Sequence, residues 1–397
     1  MKQRIGLMTF NWEWESTIGI GWLLLCFFVL SSGVFAEQRE IALVDTAVSK
    51  KIDAIFSKFD RSESPGYAVG VIKGGKIVFA RGYGRADLDH NVRITPKTAF
   101  HLAGLSYQFT GAAIALLMLE GSLTMETPVA EFFPEITKFG TNIRLKHLIY
   151  STSGLPDYMS LPRPNGAPWF SFMYYTNADA IAATWQADRL KFAPGAQKEY
   201  SVINYILLAE IVERVSGMPL ADFLQKRVFT PLGMEDTSLN DDSTLVIPNR
   251  ATGYASRTDA NVRQALKLMG VKVREGNGYV RLERISPHYG GTGVFSTIED
   301  LAKWDENYYS SRLAGPSFTQ KILQETKLQN GTGTEGFGLI FGQFEGREMI
   351  WFSGESLDAS TFIGHLSVDH LTVIVLSNLL GGDAEGKAKE VLKLFVQ

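Results

Sequence analysis

Acyl transfer by a serine hydroxyl needs a base within hydrogen-bond reach. On a helix that requirement becomes a Ser-x-x-Lys spacing, which puts the lysine one turn along the same face. Among the 397 residues, no serine has a lysine three places later, and no Gly-x-Ser-x-Gly turn offers a different nucleophile elbow. The six histidines (His90, His101, His147, His288, His365, His370) form neither His-x-His nor His-Glu-x-x-His, so neither a metal nor another cofactor is expected. Cys26, the only cysteine, lies in an apolar N-terminal run, which leaves the rest of the chain without thiol chemistry. What remains are hydroxyls such as Ser106, Tyr200 and Ser353 with no evident base. A tyrosine needs a basic neighbour to act near neutral pH, because its unperturbed pKa is about 10.

The elements that would hold these residues follow from periodicity. Apolar positions Ile41, Leu43, Val44, Val48, Ile52, Ile55, Phe56 and Phe59 recur at helical spacing. Residues 66–73 and 76–83 read as two strands joined at Gly74-Gly75, a hairpin signal. From about 103 to 250 the periods are helical, as in Thr110–Glu120, Asn177–Gln186, Tyr205–Ser216 and Leu220–Val228. Strands resume at Phe337–Phe344, Met349–Ser353, Ser360–Ser367 and Leu371–Leu376, and a last helix covers about 384–396. The pattern predicts an α+β fold in which both chain ends build one antiparallel sheet flanked by helices. A mainly helical lobe is inserted between them. Residues 37–102 and 290–397 would form the sheet lobe and 103–289 the helical lobe. Residues 256–289 carry seven Arg or Lys against three acids and read as a solvated excursion at the rim, with an anion site as the lesser alternative.

The net charge of −3 gives no reason to expect a nucleic-acid partner. Ile18–Leu30 is an apolar run of 13 residues followed by Ser31-Ser32-Gly33 and Val34-Phe35-Ala36, suited to signal-peptide cleavage after Ala36. Thirteen residues span about 20 Å as a helix, short of the roughly 30 Å hydrocarbon core. Residues 1–36 are therefore expected to be a signal peptide, with a retained N-terminal anchor as the alternative. Either places residues 37–397 outside the cytoplasm, secreted or periplasmic.

Several longer stretches carry a resemblance. Leu148-Ile149-Tyr150-Ser151-Thr152-Ser153-Gly154-Leu155-Pro156 is similar to an L-L-x-H-T-S-G-L-P segment, and Phe192-Ala193-Pro194-Gly195 with Tyr200-Ser201-Val202 to F-x-P-G…Y-S-N. Val228–Met234 and Gly291–Thr297 match as well. From about 45 to 395 the chain resembles class C serine β-lactamases and the related penicillin-binding-protein-like esterases and peptidases. The resemblance implies a β-lactamase/transpeptidase-like fold. It also implies a site made of Ser-x-x-Lys at a helix start, a Tyr-x-Asn loop and a strand with Lys or His, then Thr or Ser, then Gly. Here those positions read Gly104, Tyr107, Tyr200, Val202, Phe352, Ser353 and Gly354. Only Tyr200 and the Ser353-Gly354 pair retain family types, so Tyr200 would be a vestige of the catalytic set.

Two functions are consistent with this pattern. In the first, the protein is a non-catalytic pseudoenzyme. Its cleft, lined by Gly104, Tyr107, Val202, Phe352, Ser353 and Gly354, binds a peptide, a peptidoglycan-like fragment, a small acyl compound or a partner protein; equally, Tyr107, Tyr200, Val202 and Phe352 fill a dead cavity and the molecule acts through another surface. In the second, it is an active hydrolase with a displaced nucleophile, for which Ser106 is the candidate. Ser106 is two residues from the family position and points about 200° away on a helix, which suits a packed or capping hydroxyl. His101, just before the site helix, is expected to be a partly buried ring with a backbone partner.

Overall fold

The computed structural model describes residues 41–140, 142–163, 169–170, 172–324, 326–327 and 334–396; the apolar segment 18–36 lies outside them. The chain's two ends meet in one antiparallel sheet. Its order runs Ile41–Ala42, Lys76–Tyr83, Tyr67–Lys73, Leu371–Ser377, Ala359–Leu366, Arg347–Ser356, Leu339–Phe344, Thr334–Gly336, Thr326–Lys327. The join between the chain ends is the pairing of Tyr67–Lys73 with Leu371–Ser377, in register from Tyr67↔Ser377 to Lys73↔Leu371. Gly74 and Gly75 sit at φ 57° and 73°, the left-handed backbone that a tight hairpin demands.

The central strands Leu371–Ser377 and Ala359–Leu366 are buried at every position because both faces of the sheet are covered. Val69, Val71, Val373 and Val375 point to one side, where Ile52 and Phe56 of the helix Thr46–Phe56 meet Ala388, Val391 and Leu392 of the helix Ala384–Lys393. Ala68, Ile72, Ile374 and Leu376 point to the other, into the larger core shared with the helical residues. At its centre the helix Tyr107–Leu119 is buried on all sides from Tyr107 to Leu117, so its sequence shows no polar face.

The main differences from the sequence expectations lie at element ends. The helix expected from Tyr205 begins at Val202, because the Asp157 carboxylate accepts the Val202 N–H at 2.6 Å and caps it from another segment. The strand expected from Phe337 begins at Leu339, because Phe337 and Gly338, at φ 50° and 77°, form a turn. Residues 256–289 are only partly a solvated excursion. Ala260–Leu268 is an amphipathic helix, Tyr254–Ser256 pairs with Tyr279–Arg281, and Arg284, Ser286 and His288 are buried.

Candidate functional site

Four pieces of chain converge where the sequence places the site. A tight turn, Ala103–Ser106, leads into the helix Tyr107–Leu119. The strand Arg347–Ser356 runs against that turn. A loop delivers Tyr200 and Ser201 to the start of the helix Val202–Ser216. The segment Gly290–Gly293 precedes the strand Val294–Ser296, which pairs with Phe100–His101.

Gly104 faces the strand closely. A Cβ built on it would lie 3.2 Å from Phe352 Cε1, 3.2 Å from the Ser353 carbonyl oxygen and 3.5 Å from Gly354 Cα. The Phe352 ring thus stands beside the place where a side chain at 104 would begin. Ala103, just before it, holds φ 49°, a left-handed conformation that costs a non-glycine residue about 1–2 kcal/mol.

Tyr107 is completely buried. Its ring stacks on Tyr205 with centroids 3.9 Å apart and on Tyr200 at 5.6 Å, and it tilts against Phe352 at 5.4 Å. Its hydroxyl lies beside the Tyr200 phenol but makes no hydrogen bond of ordinary geometry. Burial drives its pKa well above 10, and the neighbouring Tyr200 adds to the rise. Val202 packs against the same ring from the Gly291 side: a Cβ on Gly291 would meet Val202 Cγ1 at 2.7 Å and Tyr107 Cε1 at 3.1 Å. The structure therefore brings Tyr107, Tyr200, Val202 and Phe352 together, but as a packed aromatic plug. Of the two arrangements the sequence left open, a ligand cleft and a filled cavity, this packing is the filled one.

Tyr200 keeps 53% of its surface exposed. Removal of its hydroxyl end from water raises its pKa to about 12, against a smaller lowering by Tyr107. The phenol is protonated at neutral pH. The lysines on its loop are engaged elsewhere, Lys191 with Glu199 and Lys198 with Glu335. Ser353 and Gly354 line an open depression of about 340 Å³ together with Glu355, Thr361, Gly381 and Asp383. Ser106 is buried, and its Oγ accepts the Val294 N–H at 3.1 Å.

Sequence reasoning missed a buried polar cluster behind this plug. The partners of His101 are side chains, not the backbone group expected for it. Its Nδ1 lies 3.0 and 3.1 Å from the two carboxylate oxygens of Asp358, and its Nε2 lies 2.8 Å from Thr292 Oγ1. Ser356 Oγ donates to the same carboxylate. Burial lowers the His101 pKa, with Asp358 only partly offsetting it. Burial alone would raise Asp358, but His101, Ser356 and Arg284 outweigh it and bring the carboxyl down to about 2. At neutral pH the pair is an ionised carboxylate and a neutral imidazole, since burial leaves the His101 pKa below its ordinary value while the Asp358 pKa stays low. His101 and Asp358 are 257 positions apart, so no local pattern could have paired them. Beyond this pair, His288 bonds Ser286 Oγ at 2.7 Å and the Tyr175 hydroxyl at 3.1 Å. Among the described residues no group of His, Cys, Asp and Glu is placed to hold a metal ion.

The antiparallel sheet completed by both chain ends, with a buried helix starting beside one of its strands, defines the architecture of serine hydrolases of the β-lactamase/transpeptidase kind. A family model described as Beta-lactamase matches residues 52–396, and the chain belongs to that family. Penicillin-binding protein 4* of Bacillus subtilis is 29% identical over 83% of this chain and 71% of its own length. A D-aminopeptidase of Gluconobacter oxydans is 24% identical over 83% of this chain, which spans only 59% of that relative. Among solved structures, an octameric penicillin-binding protein homologue from Pyrococcus abyssi matches with a TM-score of 0.73 at 24% identity, over 88% of this chain and 77% of its own. A D-amino acid amidase from Ochrobactrum anthropi complexed with D-phenylalanine matches with a TM-score of 0.73 at 19% identity, over 88% of this chain and 99% of its own.

Proposed function

We propose that this chain is an extracytoplasmic recognition protein built on the β-lactamase-family scaffold, in which the family's acyl-serine chemistry is lost. One observation carries the reading. Tyr107 is wholly buried in a stack with Tyr200, Tyr205 and Phe352 at the place where that chemistry would occur. Removing the nucleophile of a concerted serine site costs on the order of 10⁶ in turnover, and here the base position is filled with an aromatic ring as well.

The ligand classes that suit the reading are a peptide, including a peptidoglycan-like fragment, a small acyl compound, or a partner protein. The names of the relatives, a penicillin-binding protein and D-aminopeptidases, favour the peptide. With the interior filled, the rim is what a ligand can reach: the exposed face of Tyr200 and the depression beside Ser353 and Gly354. The extracytoplasmic location rests on the apolar run 18–30 and the small residues that follow it.

Purified protein would be incubated with a fluorescent penicillin and with nitrocefin, and separately titrated with D-phenylalanine amide and muropeptides by calorimetry. The reading expects no penicilloyl adduct, no nitrocefin turnover and saturable peptide binding that Tyr200→Ala weakens. A penicilloyl adduct at any serine would overturn it. A second reading, reaction at a nucleophile outside the family position, is favoured by the Asp358–His101–Thr292 cluster alone.

A further inference from the structure

The Asp358, His101 and Thr292 side chains form a continuous line of hydrogen bonds. The carboxylate faces the imidazole at Nδ1, and the imidazole faces the hydroxyl at Nε2. The carboxylate can only accept, so Nδ1 carries the ring proton. Nε2 then presents a lone pair, and Thr292 Oγ1 donates to it. A hydroxyl donating to an imidazole that a buried carboxylate orients is the arrangement by which hydrolases activate a nucleophile. It is recognised by geometry and roles, not by position in the chain. The chain's scaffold supplies the three groups from three places: the strand Phe100–His101, the Gly290–Gly293 segment, and the turn after the strand Arg347–Ser356.

We propose that Thr292 is a nucleophilic hydroxyl with His101 as its base and Asp358 as the group that orients the base, and that it accepts acyl groups from small activated esters. This goes beyond the recognition reading and does not depend on it, since it concerns hydroxyl chemistry behind the plug and not binding at the rim. Thr292 is 8% exposed, which restricts the donor to a small one. Gly291, its neighbour, lies against Val202 and Tyr107, so Thr292 directly follows a residue that touches the plug.

An aryl acetate serves as the acyl donor. Thr292 Oγ1 bonds to the acyl carbon while its proton passes to His101 Nε2. The acyl carbon–aryl oxygen bond then breaks, and the departing phenol takes the proton from His101. The products are an acetyl-threonine and a free phenol, with His101 neutral again. Neither the oxidation state of any atom nor the protonation of Asp358 changes. A fluorophosphonate would react at the same oxygen, releasing fluoride and leaving an Oγ1–P bond.

The test uses the full-length protein, treated with a small alkyl fluorophosphonate and with p-nitrophenyl acetate. Intact mass and peptide mapping follow the label. The expected result is one equivalent of label on Thr292, which Thr292→Ser retains and the near-isosteric Thr292→Val loses. General-base assistance contributes about 10² to 10⁴ in rate, so His101→Gln should slow labelling by at least about 100-fold. Circular dichroism and thermal unfolding would establish that the variants are folded. If His101→Gln fails to fold, the Thr292→Val and Thr292→Ser pair decides the matter. Absence of label, label mapped to another residue, or equal labelling of Thr292→Val would overturn the assignment. In each of those outcomes the recognition reading still stands or falls on penicillin and peptide binding.

Discussion

Replacing Tyr107 by phenylalanine isolates the part of the plug that lacks a partner. The substitution keeps the ring and its stacks on Tyr205, Tyr200 and Phe352 at 3.9, 5.6 and 5.4 Å. It deletes only a buried hydroxyl without a hydrogen bond. A buried polar group left unsatisfied costs about 1–3 kcal/mol, and removing it without leaving a second orphan recovers part of that penalty. The expected change is a gain of about 1 kcal/mol. Urea unfolding should therefore show a higher midpoint at unchanged slope. At about 2.1 cal/mol/K per residue, a chain of this length shifts its Tm by only on the order of 1 °C per kcal/mol, so denaturant is the more sensitive assay. Tyr107→Ala, which deletes the ring too, should cost about 3–5 kcal/mol. A loss of 1 kcal/mol or more in Tyr107→Phe would refute the reasoning, since the hydroxyl would then have a partner. Tyr200, the phenol beside it, would be the first candidate.

The double variant Gly104→Ser, Tyr107→Lys introduces the residues that the resemblance implies, yet it places an ammonium among aromatic rings and a Cβ 3.2 Å from Phe352 Cε1. It should unfold at lower denaturant and take no fluorescent penicillin label at neutral pH. Gly111→Ala, a favourable change of about 1 kcal/mol for an ordinary helix position, should instead destabilise by at least about 1 kcal/mol, because its Cβ would sit 2.4 Å from the Phe337 carbonyl oxygen. Asp358→Ala should cost about 3–5 kcal/mol by removing the buried acceptor of the His101 Nδ1–H and a buried negative charge near Arg284, measured by the same unfolding assay. His147 accepts the Arg144 N–H on its Nδ1 at 3.0 Å, and burial, then Lys146, lowers its pKa to about 4. Its folded value lies below the unfolded one of about 6.5, so its contribution is complete above pH 6.5 and is lost as pH falls toward 4. His147→Gln should flatten that part of the stability–pH curve relative to wild type. Identical slopes would refute the capping role.

How far the site was legible depended on whether its residues are neighbours in sequence. Gly104, Ser106 and Tyr107 lie within one turn and its helix, and Tyr200 and Val202 on one loop-to-helix junction, so the family resemblance of those short stretches grouped them. The hairpin at Gly74-Gly75, the buried strand Leu371–Ser377 and the last helix were likewise visible, because their apolar periods and turn residues act locally. The start of the helix at Val202 was not visible, since its cap is the Asp157 carboxylate, 45 positions away.

By itself the sequence determined the architecture, because hydrophobic period and turn chemistry are properties of short stretches. Only the tertiary structure decided between a cleft and a filled cavity, by packing Tyr107 against Tyr200, Tyr205 and Phe352. It alone aligned Asp358, His101 and Thr292 into one line of hydrogen bonds. Packing and hydrogen bonding act over a few ångströms, and the groups that meet there come from segments up to 257 residues apart. That distance along the chain is closed only when the strand Tyr67–Lys73 pairs with the strand Leu371–Ser377.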